Sequence, residues 1–185
     1  MITPHAGPDI AAALRALHDE SVRYWSSFDT PGFFAPIGGA WSPADNVRHL
    51  TKAMRAITRG LNAPRWMLWL RFGRGDTRRS YVELKDVYLA RLARGASAGR
   101  FAPAPARQIS DAERSRIMTF HAQTVAQLTS SIQEWPEDAL DRRRLPHPLL
   151  GSITVREMLF FALYHNRHHL EGVQRRVGNP SSLRA

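Results

Sequence analysis

Three of the chain's eight histidines, His165, His168 and His169, lie within five residues, in the run Leu163-Tyr164-His165-Asn166-Arg167-His168-His169-Leu170. On a helix His165 and His169, four residues apart, stack one turn above the other on a single face. Val155, Met158, Leu159, Ala162 and Val173 share that face, so both imidazoles should point toward a core. Buried neutral imidazoles need partners, and a transition metal suits this spacing best. The plainer alternative is two ordinary histidines, one hydrogen-bonded inside and one at the surface. A metal reading needs a third ligand from elsewhere in the chain.

Composition narrows the chemistry. The 185 residues contain no cysteine, which excludes disulfides, thiolate metal sites and cysteine nucleophiles. A metal must then be held by histidine and carboxylate, and thiol chemistry must use a thiol from outside. The length suits one domain over residues 1–185 with a proper core. The longest apolar run, Trp66 to Leu70, is far short of the roughly 20 residues that span a bilayer. The N-terminus lacks the basic and apolar blocks of a secretory signal, so the expected location is cytoplasmic. A net charge of +10 invites a nucleic-acid reading. Against it, the cations are arginines apart from Lys52 and Lys85, and residues 65–107 alone supply +7 of the +10. No nucleic-acid-binding motif accompanies that charge.

Four amphipathic helices must position the histidines. Helix one begins after Gly7-Pro8-Asp9, with Pro8 at or near its first turn, and carries Ile10, Leu14, Leu17, Tyr24, Trp25 and Phe28 to a break at Thr30-Pro31-Gly32. Ser42-Pro43-Ala44-Asp45 is a capping box that opens helix two, with Val47, Leu50, Met54, Ile57 and Leu61 as its stripe. Residues 61–110 form a basic connector in which Tyr81 to Leu92 can make a short helix and 95–108 reads as an extended, mobile loop. Ser110 to Glu113 caps helix three, whose stripe is Ile117, His121, Val125, Leu128 and Ile132. Glu137 to Arg144 reads as solvated and His147 to Gly151 as a turn. Thr154 to Glu157 caps helix four, which ends near Val177 before Gly178-Asn179-Pro180 and a flexible tail, 179–185. No segment alternates as a strand does. The fold expected is all-α, a four-helix bundle with a long connection between helices two and three.

Metal sites in bundles draw ligands from facing helices. Helix two offers His49, beside the stripe residue Leu50 and in the second turn after Ser42. Three imidazoles would leave a position open for water or substrate. His168 diverges by about 100° from His169 on a helix and falls at the bundle edge. His121 sits on a buried stripe but reads as a core histidine before a ligand. Asp45 is explained by its cap, and Trp41 by packing at the start of helix two.

Two blocks of the chain resemble the DinB-like (DinB/YfiT) superfamily of metal-binding four-helix bundles. Trp41 to Leu50 is similar to that family's W-S-x-x-[DE]-x-x-x-H-[LIV] signature. His147-Pro148-Leu149-Leu150-Gly151-Ser152-Ile153-Thr154, followed by His165 to His169, is similar to its H-P-x-x-G-x-[LI]-[ST] lead-in and H-x-x-x-H pair. The resemblance implies an up-down-down-up bundle in which His49, His165 and His169 hold a divalent metal, zinc or nickel first, iron or manganese as alternates. It implies an enzyme activating a low-molecular-weight thiol for transfer, with a metal-dependent hydrolase or a non-catalytic stress-related metal-binding module as alternatives. Expected partners are a small-molecule substrate, such a thiol, and a second copy of the chain, without membrane or nucleic acid. No carboxylate stands out as a general base. The role of Arg65, Arg71, Arg74, Arg78 and Arg79 stays open between solvated surface and a basic rim over the bundle mouth.

Overall fold

The computed structural model describes residues 4–75, 79–104, 106 and 108–178. Arg78 and the 179–185 tail lie outside them. Four long helices build the fold: α1 (Gly7–Ser26), α3 (Pro43–Leu61), α6 (Asp111–Gln133) and α8 (Val155–Gly178). α1 and α3 each pack against both α6 and α8, forming a four-helix bundle. The expected stripes fill its interior: Ile10, Leu14 and Trp25 meet Val47, Leu50 and Met54, Leu128 and Ile132, and Leu159 and Val173, all buried.

The caps place the two helices that carry the histidine cluster. Ser42 Oγ accepts from Asp45 N–H at 3.1 Å, and Asp45 returns the contact to the Ser42 N–H. At α8 the Thr154 hydroxyl accepts from Glu157 N–H while Glu157 accepts from Thr154 N–H at 2.8 Å. Both helices therefore begin at fixed residues. The Ser110 cap of α6 forms as well, but Glu113 turns to Arg116 instead of closing the box.

Four expectations need correction. Thr30-Pro31-Gly32 does not merely break helix one: α1 stops at Ser26, and Thr30–Phe34 is a short helix, α2, with Asp29 as its cap. Proline at the first helical turn starts a helix as readily as it ends one. The absence of strands is also wrong. β1 (Arg144–His147) pairs antiparallel with β2 (Gly151–Thr154), Leu145 facing Ile153. Four-residue strands are too short for alternation to be read, and Gly151, at φ +73°, lets the chain turn back. Leu145 then docks on α3, where Gly60 leaves room: a Cβ there would come within 2.8 Å of Leu145 Cδ2.

The third correction concerns Glu137 to Arg144. Glu137–Arg142 forms α7, with Leu140 and Asp141 buried. They fold inward because Arg156, on the first turn of α8, is itself 5% exposed and needs partners. Its Nε and Nη2 donate to the two Asp141 carboxylate oxygens at 2.8 and 3.0 Å, and Nη1 reaches Glu137 and the His5 carbonyl. Glu137 in turn accepts from the Gly7 N–H at the start of α1. One guanidinium thus ties together α7, α8 and the start of α1.

The fourth correction is the connector. α4 (Arg65–Phe72) buries Leu68 and leaves Trp66, Trp69 and Leu70 exposed, whereas the short helix expected over Tyr81 to Leu92 forms as α5 (Tyr81–Ala93) and packs Leu84 and Tyr88 against the bundle. The described residues of 95–108 are not simply an extended loop. Gly99–Phe101 is a 3-10 turn laid on α3, where the Lys52 ammonium holds the Arg100 carbonyl.

His121 is a core histidine. It is buried on α6, its Nδ1 lies 2.9 Å from Thr51 Oγ1, and its ring meets that of His18. Thr51 spends its hydroxyl proton on the Val47 carbonyl, so His121 Nδ1–H is the donor. Burial, with His18 beside it, pushes the His121 pKa down to about 3.

Two outcomes follow from these buried groups. Arg156→Ala should lower the free energy of unfolding by about 3–5 kcal/mol, since it strips a buried carboxylate of its guanidinium. Arg142→Ala, whose partner Asp138 is exposed, should cost under about 1 kcal/mol in the same urea titration. His121 has a folded pKa below its unfolded value, so its contribution is complete above about pH 6.5 and is lost as pH falls toward 3. His121→Asn, which keeps a donor to Thr51 but cannot titrate, should flatten the slope of stability against pH in that window by up to about 1.4 kcal/mol per pH unit. An unchanged slope would refute the assignment.

Candidate metal centre and its cavity

His49, His165 and His169 come together where α3 faces α8. One ring nitrogen of each lies within 4.8 Å of the other two. His165 Nε2 is central, 3.0 Å from His49 Nε2 and 3.1 Å from His169 Nε2. His49 and His165 are buried and His169 nearly so.

The outer nitrogens decide which way the lone pairs point. His49 Nδ1 lies 2.9 Å from the Phe101 carbonyl, which can only accept, so His49 Nδ1 carries the proton. His169 Nδ1 lies 2.7 Å from Asn46 Oδ1. Asn46 donates its NH2 to the carbonyls of Trp41 and Ser42, which fixes the amide so that Oδ1 faces His169 as an acceptor. His169 is thus also an Nδ1–H tautomer. Both rings present bare Nε2 lone pairs toward His165 Nε2, and a single proton on His165 cannot serve both with good geometry. A cation ligated by all three nitrogens would satisfy every lone pair, and ligands about 2.0–2.1 Å from a tetrahedral ion would stand near the 3.0 and 3.1 Å that separate His165 Nε2 from its two neighbours. The donor set fits a borderline divalent metal.

Electrostatics favour the ligating form. Burial holds His165 and His169 well below the usual histidine range, and neighbouring imidazoles push the same way. Burial also lowers His49, opposed by the Phe101 carbonyl and aided by Lys52. All three stay neutral at physiological pH, as ligation demands.

The cluster forms one wall of a cavity of about 390 Å³. Trp41 packs its indole 4.9 Å from the His49 ring and parallel to His169 at 6.0 Å. Phe161 stacks on His165 at 4.8 Å. Tyr88, Met158, Phe101 and Leu149 continue the lining. Among the described lining residues there is no carboxylate.

The other expected residues separate cleanly. His168 stays outside the cluster, 3.2 Å from the Tyr164 hydroxyl through Nδ1, though it borders the cavity. His121 and Asp45 are elsewhere, in the core and in the α3 cap. The arginine rim does not form from the described candidates. Arg79 is pinned to Glu157 at 2.8 Å, Arg65 lies over Trp135, Arg71 over Phe72, and Arg74 borders a different hollow beside α7. The cavity's arginine is Arg100. Asn46 and the Phe101 carbonyl were missed from sequence. Asn46 stands one turn before His49 and could have been sought as its neighbour; a main-chain carbonyl from a distant segment leaves no sequence signal.

A family model of the DinB superfamily matches residues 13–173. No curated protein matches the chain. Among solved structures it is similar to TT2238, described as a four-helix bundle protein, at 19% identity over 91% of this chain and 98% of that one, with a TM-score of 0.57. At that identity the likeness speaks for the fold alone. With nearly its whole length matched by the family model and its four long helices packed as a bundle, the chain belongs to the DinB superfamily, which includes metal-binding proteins.

Proposed function

We propose that this protein is a metal-dependent enzyme that holds one divalent ion on His49, His165 and His169 and activates a small thiol for transfer to an electrophile. The observation that supports it is the convergence of three neutral Nε2 atoms, two with their tautomers fixed from behind, at the wall of an apolar cavity. His49, His165 and His169 would hold the ion, which would supply a lowered pKa to a bound thiol or water and so a nucleophile near neutral pH.

The chain's own residues do the rest. Phe101 O and Asn46 hold His49 and His169 in the ligating tautomer. Trp41, Phe161, Met158 and Tyr88 keep water away from the cluster. Tyr88, with its pKa pushed up to about 12 by burial, remains a protonated phenol that can donate but not accept a proton. The absence of a lining carboxylate among the described residues ranks thiol ahead of water. A thiol near pKa 8.5 reaches its anion with a far smaller shift than water at 15.7. The ranking makes metal-assisted hydrolysis the second reading.

Protein purified without an affinity tag should carry about one equivalent of a divalent metal by elemental analysis. His49→Ala should lose it, and Asn46→Ala should weaken binding by about 10–100-fold. Absence of metal from the native protein even after reconstitution rejects the proposal. Metal-loaded protein should transfer low-molecular-weight thiols to activated electrophiles and lose that activity on chelation. Turnover of esters with a silent thiol panel would establish the hydrolase instead, and silence in both would leave a metal that only fastens α3 to α8.

A further inference from the structure

His147 closes β1 and is 6% exposed, yet no step above uses it. Its Nδ1 accepts two hydrogen bonds, from the backbone N–H groups of Leu149 and Leu150, both at 3.1 Å. A nitrogen that accepts cannot carry the proton, so in the neutral ring the proton sits on Nε2. That N–H meets no acceptor among the described residues, and the ring lines the same cavity as the histidine cluster. Phe161 touches both: its ring centroid is 4.2 Å from that of His147 and 4.8 Å from that of His165. Burial pushes the His147 pKa down to about 4, so the ring is an uncharged donor with no proton to exchange near neutral pH.

A donor that opens on a cavity is satisfied by what fills the cavity, water or ligand, when the protein offers it nothing. Of the rings near His147 only Tyr88, at 6.3 Å between centroids, carries a hydroxyl, and no hydrogen bond joins the two. Leu145, Pro146, Ile57, Leu92 and Phe161 are apolar. Arg100, the sole Arg or Lys side chain among the described lining residues, lies over the Phe101 ring at 5.3 Å. A neutral donor in such a wall suits a neutral acceptor. An anion would lose its hydration and gain no countercharge from His147.

We propose that His147 is the specificity-determining residue of this cavity: its Nε2–H binds a carbonyl-class oxygen on an otherwise apolar small molecule. The proposal rests on the cavity being the substrate site, and it assigns the substrate class that the metal reading leaves open. The electrophile is then an uncharged carbonyl compound, gripped by His147 in the cavity that the histidine cluster also lines.

Two variants split the roles of the ring. His147→Asn keeps an oxygen where Nδ1 accepts from Leu149 and Leu150, but its NH2 falls short of the Nε2 position and the donor there is lost. His147→Gln keeps a donor near Nε2 but gives up the acceptor. The probes are acetophenone and ethylbenzene, alike in shape and differing in the oxygen, titrated calorimetrically into the protein as purified. Wild type should prefer acetophenone by about 5–10-fold, the worth of one buried neutral hydrogen bond. His147→Asn should keep its urea midpoint and lose the preference, whereas His147→Gln should keep the preference at a lower midpoint. A preference that survives in His147→Asn overturns the proposal, as does equal binding or no binding of the two probes by wild type. Metal content, measured on the same samples, should match wild type in both variants. Its absence throughout, with acetophenone preference intact, would defeat the metal reading and leave this one standing.

Discussion

Holding three neutral imidazoles with their Nε2 atoms together inside an apolar interior is the constraint that the rest of the bundle answers to. It requires α3 and α8 to present particular residues at one level, and it requires the outer nitrogens of His49 and His169 to be occupied. The Ser42 cap does both jobs. It sets the start of α3, and its carbonyl, with that of Trp41, takes the Asn46 NH2 so that the amide oxygen is left for His169. A residue that begins one helix therefore decides the tautomer of a histidine on another.

α8 is fixed with equal care at its other end. Arg156 and Glu157 sit in its first turn, both buried, and both are drawn into contacts with other segments: Arg156 with Asp141 and Glu137, Glu157 with Arg79 and the Thr154 N–H. A buried guanidinium gives little net stability over an apolar replacement, but it permits few alternative arrangements. Sliding α8 along its axis would separate Arg156 from Asp141 at once. The position of His165 and His169 is thereby referred to α7, the hairpin and the start of α1.

Much of this was legible in the sequence. Helix caps announce themselves by residue type at fixed spacing, so the starts of α3, α6 and α8 could be read, and the apolar stripes marked the buried faces. The i, i+4 spacing selected His165 and His169, and adjacency to Leu50 selected His49, because helical geometry is local. What failed was non-local. Glu137 to Arg144 looks solvated until Arg156 is seen to be buried. The hairpin is too short to show alternation. Residues 95–108 have a loop's composition, and nothing in their side chains tells that the Phe101 carbonyl reaches His49. The arginines drew attention by number, but the described ones are engaged with aromatic rings and Glu157 or lie away from the cavity.

The contact between Phe101 and His49 has a consequence for how such a protein can diverge. It is made by the main chain, so it asks for a backbone path and not for a residue type. Arg100 and Phe101, whose side chains line the cavity, can be exchanged without disturbing the nitrogen that the Phe101 carbonyl holds, while Gly99, at φ +48°, keeps the turn. Orientation of the histidine and shape of the ligand wall are carried by the same short turn through different atoms. Selection can therefore rewrite one while the other is inherited intact.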